Sequence, residues 1–172
     1  SVVLSKLYKY SYLQTSYGVN NIALVNGRPQ QLNVKQMLTE FIKFRLEVIV
    51  RRTKYDLKKA EERAHILEGL LIALANIDQV IAIIRASKTV EAAKEGLIAA
   101  FELSEIQAKA ILEMRLQKLV SLEVDKIKKE HAELMLKIAN YKEIIASEYL
   151  QRGIIKDEMA ELKEKYGDER RT

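Results

Sequence analysis

The chain of 172 residues contains no cysteine, no tryptophan, a single proline and only two histidines. The absence of cysteine excludes disulfides, thiolate metal sites and cysteine nucleophiles. His65 and His131 have no His, Asp or Glu four residues further on, so neither completes a helical metal pair in that direction. No stretch matches G-x-x-x-x-G-K-[ST] or G-x-G-x-x-G, the glycine-rich cradles for nucleotide phosphates. No run reaches the ~18 uncharged apolar residues of a membrane span, so none is expected.

One stretch is nearly free of helix breakers. Residues 34–75 hold no proline and one glycine, Gly69. Their apolar stripe reads Leu38, Ile42, Leu46, Ile49, Thr53, Leu57, Ala60, Ala64, Leu67, Leu71, Leu74. Ten steps of three or four residues cover 36 positions, a mean of 3.6, which is the α-helical period. At ~1.5 Å per residue such a helix is roughly 60 Å long, far beyond the ordinary helix of about 11–12 residues. A small core cannot enclose it, so another element must cover the stripe. The predicted cover lies over 122–146, where Val124, Ile127, His131, Leu134, Ile138, Tyr141 and Ile145 recur at alternating steps of three and four. A period of ~3.5 is a coiled-coil seam. A compact connection between the two helices predicts an antiparallel pair.

That connection reads as three short helices over 78–86, 90–100 and 105–119. Thr89 is the candidate cap of the second, and Ser104 with Gln107 forms a capping-box pair for the third. The third carries Ile106, Ala110, Ile111, Met114, Leu116 and Leu119, apolar on more than one face. Such a helix can serve both a local core and a partner chain. A last helix is predicted over 148–166, stopped by Gly167. Near the start, Tyr8, Tyr10 and Tyr12 alternate as in a strand. Asn26-Gly27 between Ile22–Val25 and Arg28–Leu32 signals a hairpin with a type I′ turn. The opening Ser1-Val2-Val3-Leu4 lacks an initiator Met, which suggests a piece of a larger protein. The fold class is therefore mainly α: a long antiparallel two-helix coiled coil with a small helical dimerisation knob, plus a short N-terminal β-hairpin. The segments are 1–33, the end of an upstream domain with the hairpin; 34–75, the first coiled-coil helix; 76–121, the knob; and 122–172, the return helix and a base helix.

The net charge of +5 is unevenly spread. Residues 1–33 hold three basic side chains and no acid, and residues 34–75 hold nine against six. Residues 76–122 balance six against six, and residues 123–172 hold eleven against twelve. The excess lies in the first 75 residues and points towards a polyanion. Arg51, Arg52, Lys54, Lys58, Lys59 and Arg63 form its densest tract. This tract is either a nonspecific phosphate-facing surface or a solvated face paired with Asp56, Glu61 and Glu62 at helical spacing. No tyrosine among the eight is marked as an activated nucleophile.

Several runs carry a resemblance. Arg51-Arg52-Thr53, the run from Ala60 through Glu61-Glu62-Arg63-Ala64-His65-Ile66-Leu67-Glu68 to Gly69, and the run from Ala73 to Asp78 are three of them. The run from Gln107 to Leu119 and the closing Tyr166-Gly167-Asp168-Glu169-Arg170-Arg171-Thr172 are two more. Leu13-Gln14 through Asn20, Ala23-Leu24-Val25 and Pro29 complete the set. In this order they resemble the A subunit of bacterial DNA gyrase along essentially the whole chain. The A subunit of topoisomerase IV shares part of the pattern. Val120-Ser121 departs from it, standing where the family usually has Thr-Gly.

The resemblance implies the coiled-coil arm and dimerisation knob of a type IIA topoisomerase, whose paired knobs form the exit gate, or C-gate, for a passed DNA duplex. It implies a cytoplasmic enzyme that uses ATP and magnesium through a separate B subunit, with no cofactor or metal held in this segment. The family's nucleophilic tyrosine follows an arginine, and no Arg-Tyr pair occurs here, so no catalytic residue carries over. Expected partners are a second copy through the knob, DNA and the B subunit, with no membrane. Ile106, Ala110, Ile111, Met114 and Leu119 are the expected dimer contacts. Arg51, Arg52, Lys58 and Lys59 are the expected DNA-facing residues. The competing readings are the same region of topoisomerase IV, a freestanding coiled-coil dimerisation module, and a small helical DNA binder. The balanced charge of the knob weighs against the last, because a groove-reading helix should be basic.

Overall fold

The computed structural model describes residues 2–114 and 121–170. Among them are seven helices and one two-stranded antiparallel sheet. The chain divides into two compact units, Ser1–Arg45 and Leu46–Thr172. The boundary falls inside the long helix.

The first unit opens with helix α1, Val2–Tyr10, where alternating tyrosines predict a strand. The helix period prevails because Leu4, Leu7 and Tyr8 recur at three and four residues, and they are less exposed than Val3 or Tyr10. Strands β1, Ile22–Val25, and β2, Arg28–Gln31, pair antiparallel with Leu24 opposite Pro29. Asn26 and Gly27 both adopt positive φ, 52° and 76°, as a type I′ turn demands. Leu32 is the buried anchor of this unit.

Helix α2 runs Val34–Ala75, over the 42 residues that the stripe predicts. Its start is a reciprocal cap: the Gln36 N–H donates to Asn33 Oδ1, and the Asn33 N–H donates to Gln36 Oε1, each at 2.9 Å. Its end is closed by Asn76, whose Nδ2 donates to the Ile72 carbonyl at 3.0 Å. Helix α3, Ile77–Ala86, then departs at 90°. No single helix among the described residues is long and apolar enough to cross a membrane.

In the second unit, helix α4, Val90–Phe101, is capped by Thr89, whose hydroxyl accepts from the Ala92 N–H. Helix α5, Glu105–Leu112, is shorter than the expected 105–119. The chain turns at Glu113, and the Met114 N–H bonds back to the Ile111 carbonyl at 3.1 Å, tightening the last turn. Helix α6 is Ser121–Ala146 and α7 is Glu148–Tyr166. Between the last two, the Ser147 hydroxyl caps α7, and the Gln151 side chain reaches back to the Ile144 and Ile145 carbonyls. Gly167 closes α7 with its N–H on the Lys163 carbonyl, so near that a Cβ at Gly167 would collide with that oxygen.

Two apolar clusters hold this unit. Ala60 and Ala64 of α2 meet Ile138 of α6, flanked by Leu57, Leu134 and Tyr141. Leu67, Leu70 and Ala73 of α2 join Val80, Leu97, Leu103, Ala108, Ile111 and Ile127 in the core of the helical cluster. The pairing sense follows from the ion pairs. Glu61 binds Lys142 and Glu68 binds His131, so α6 numbering falls as α2 numbering rises, while the long Arg63 side chain reaches along the seam to Glu130. The two helices are antiparallel, as their stripes predict.

Glu102, the residue after α4, sits at φ 53°, ψ 37°, the left-handed region. A left-handed L-residue costs ~1–2 kcal/mol, partly offset by the chain entropy that glycine adds to the unfolded state. Glu102→Gly should therefore raise stability by about 0.5–1 kcal/mol in urea denaturation, and an unchanged or lower midpoint would contradict the strain.

Candidate dimer contact and basic helix face

The helical cluster is built around the start of α5. Ser104 and Gln107 form the expected capping box: the Gln107 N–H donates to Ser104 Oγ at 3.2 Å, and the Ser104 N–H donates to Gln107 Oε1 at 2.9 Å. The same two side chains also grip α2. Gln107 Nε2 donates to the His65 carbonyl at 2.8 Å and lies 3.4 Å from His65 Nδ1. An amide nitrogen is only a donor, so in the neutral ring Nδ1 accepts and Nε2 carries the hydrogen. That Nε2–H then donates to Ser104 Oγ at 2.7 Å. Ser104 and His65 do not form a nucleophile–base pair, because the ring nitrogen facing the hydroxyl is its donor and the hydroxyl oxygen is committed to the cap. His65 is a packed histidine that ties two helices together.

This anchoring sets which residues of α5 face outward. Ile106 is 62% exposed, while Ile111 is 3% exposed inside the core cluster. Ala110, one turn after Ile106, is half-buried. Met114 packs partly against the core. Ile111 is thus corrected from a partner contact to a core residue: it lies five positions from Ile106, on the opposite face of the helix. Leu116 and Leu119 lie outside the described residues. Ile81 and Ile84 of α3 are additional outward apolar side chains that no interface expectation included. Their signal is visible in Val80-Ile81-Ala82-Ile83-Ile84, which is apolar all round, so burying Val80 and half-burying Ile83 leaves the other two outside.

Lys94 of α4 lies 2.8 Å from Glu91 and 3.0 Å from Glu105 of α5. The hydrogen bonds to Glu91 and then Glu105 raise its pKa, and the bond from Lys94 lowers that of Glu105. Lys94 is half-buried and Glu105 is exposed.

On the basic tract of α2, Arg52 donates to Glu158 of α7 at 3.0 Å. Lys58 and Lys59 both approach Glu62, at 3.9 and 3.1 Å. The hydrogen bond to Glu62 raises the Lys59 pKa, and Lys59 also lies over the Tyr55 ring, 5.9 Å from its centroid. Arg63 donates through two nitrogens to both Glu130 oxygens, at 2.7 and 3.1 Å, and the Glu130 hydrogen bond raises its pKa. Arg51 and Lys54 are exposed and carry no ion pair among the described residues. No cluster of three His, Asp or Glu side chains converges among the described residues. A cleft of ≈ 650 Å³ between α6 and α7 is lined by Ile144, Tyr149, Leu150, Gly153 and Ile154, with Glu143 and Arg152 among its charged residues. Asn140, Lys156 and Asp157 complete its lining.

The second unit is thus an antiparallel helical hairpin with a helical cluster joining its two long helices. The chain belongs to the family of DNA gyrase and topoisomerase IV A subunits, whose model matches residues 1–160. It is 54% identical to the A subunit of DNA gyrase from Clostridium acetobutylicum over 172 residues, all of this chain and 21% of that protein. It is likewise 54% identical to that of Streptomyces coelicolor over 171 residues, 99% of this chain and 20% of the relative. The gyrase relative from Halalkalibacterium halodurans is 53% identical over 172 residues, all of this chain and 21% of the relative. The chain thus spans about one-fifth of the length of these relatives.

The tether between α4 and α5 has a defined pH sign. Because the Glu105 pKa is lowered, the stability it adds is full above the ordinary carboxylate value and is lost as pH falls through the lowered one. Glu105→Gln should lower the urea midpoint at neutral pH and leave it unchanged in acid below the carboxylate range. A gap that persists in acid would show that the effect is not the ion pair.

Proposed function

We propose that this chain is the noncatalytic arm and exit-gate contact in the A subunit of a type IIA topoisomerase. In this reading two copies meet through their helical clusters, and the paired coiled coils bound the space that a passed DNA duplex leaves through. Strand cleavage by a tyrosine elsewhere in the enzyme accompanies it, with ATP and magnesium chemistry in a B subunit. The gyrase names of the relatives favour a supercoiling enzyme. The observation that carries the reading is Ile106, an isoleucine 62% exposed on a helix whose next residue is bonded into α2. A large apolar side chain held rigidly in water is the chemistry of a self-complementary contact.

Light scattering across a concentration series provides the test. The unaltered chain should dimerise, and Ile106→Glu should leave it monomeric with its helix content intact. Ile111→Ala should instead lower stability by about 2–5 kcal/mol, the cost of a core cavity. A dimer untouched by Ile106→Glu overturns this contact.

The basic tract is proposed to face the passed duplex through Arg51, Arg52, Lys58 and Lys59. Support comes from exposed cations along one helix, and Arg51 has no ion pair among the described residues. Reversing Arg51 to Glu should therefore weaken DNA binding more than reversing Lys58, which shares Glu62 with Lys59. Each lost phosphate contact should also reduce the salt slope by about 1. Equal, negligible effects would return the tract to a solvated surface.

A further inference from the structure

We propose that the His65–Gly69 turn of α2 and the Ser104–Gln107 box of α5 form a mechanical key. The key makes the helical cluster a rigid extension of α2, with Gln107 as its positioning residue. This rests on the reading of the cluster as a dimer contact, because a contact on a moving lever works only if the lever's swing reaches it.

Three independent observations converge on the key. The first is steric. A Cβ built on Gly69 would lie 2.7 Å from both Cβ and Cγ of Gln107, a distance that real contacts do not show. The sole glycine of α2 is therefore the slot into which the Gln107 stem fits. The second is polar. Gln107 is 6% exposed, and both of its amide atoms bond locally: Oε1 to the Ser104 N–H, and Nε2 to the His65 carbonyl and ring. Sliding α5 along α2 would break these bonds together, because one side chain makes them all. The third is placement. Gln107 adjoins Ile106, so the locked residue and the outward one share one turn.

The next helices are fixed to α5 in turn. Lys94 bridges α4 to Glu105, and Gly96 of α4 admits Ile83 of α3, whose Cγ2 would lie 2.9 Å from a Cβ there. The key thus orients α3 and α4 as well as α5. By contrast, α2 meets α6 through exposed ion pairs and an alanine-lined seam, and each such pair contributes little in water.

The absence of cysteine lets two spin labels be placed without background. Lys54→Cys on α2 and Glu95→Cys on α4 are exposed positions within the second unit. Labelled chains are diluted with unlabelled ones, so that each measured distance lies inside one chain. The key predicts a narrow distance distribution in the otherwise unaltered protein and a clearly broader one in Gln107→Ala. It also predicts a sign reversal. Gly69→Ala should lower the urea midpoint in the unaltered chain, where the methyl meets Gln107. It should raise the midpoint in the Gln107→Ala background, where the slot is empty and alanine favours helix. Should Gln107→Ala fail to fold by circular dichroism, Gln107→Met keeps the volume, removes the amide and must show the same broadening. An unchanged width in the folded variant, or Gly69→Ala acting with one sign in both backgrounds, overturns the key. A monomeric unaltered chain would defeat the dimer-contact reading while leaving the label distances fully interpretable.

Discussion

Small buried residues on two faces of α2 are the constraint from which the rest follows. Ala60, Ala64, Gly69 and Ala73 are all buried. They let α6 and α5 come closer than larger side chains would allow, and close approach maximises the dispersion contacts each partner makes. The burden of filling the gap then falls on the partners: Ile138 over the alanines, Gln107 over the glycine. A leucine at any of these positions would hold the neighbouring helix off and open the seam on both sides of it.

Along the same helix, the kind of cover changes. Near Ala60 and Ala64 the partner is a single helix, and exposed charge pairs flank the seam. Each such pair contributes little in water, about 0–1 kcal/mol, but together they specify an antiparallel register. Beyond Leu67 three further helices join α6 in the cover, and the buried set widens from one stripe to Leu67, Leu70 and Ala73. In the first unit the situation differs again: Leu38 and Ile42 continue the stripe yet stay exposed. That unit carries six basic side chains against one acidic, whereas the second is balanced at twenty-three against twenty-three. The charge excess therefore belongs to the unit that buries least.

Elements with strong period were legible in the sequence. The bounds of α2, the coiled-coil return, the Ser104 box and the Asn26-Gly27 turn follow from spacing and turn chemistry alone. Helix α1 was obscured because three alternating tyrosines overlie a weaker 3-4 pattern in the same few residues. The length of α5 was obscured because apolar residues continue past Leu112, and composition does not reveal that Met114 turns back onto Ile111. For the site, an apolar helix with two faces did not reveal which face packs inward. Ile106 and Ile111 are chemically identical, and only the packing of α5 against α2 separates them. His65 stands one helical turn after Glu61. Its bonds to Ser104 and Gln107, thirty-nine and forty-two residues away, could not be foreseen.

Gly69 has a consequence for how the molecule assembles. A glycine inside a helix costs about 1 kcal/mol relative to alanine, so an isolated α2 would be weakest there. The defect is covered only once Gln107 has docked. The turns from His65 onward should thus consolidate together with the helical cluster, whereas the alanine-rich middle of α2 can form earlier with α6. The order of folding would then run from the seam towards the cluster, with the outward face of α5 completed last. Such a sequence keeps Ile106 from being presented on a fixed surface before the rest of its own chain is in place.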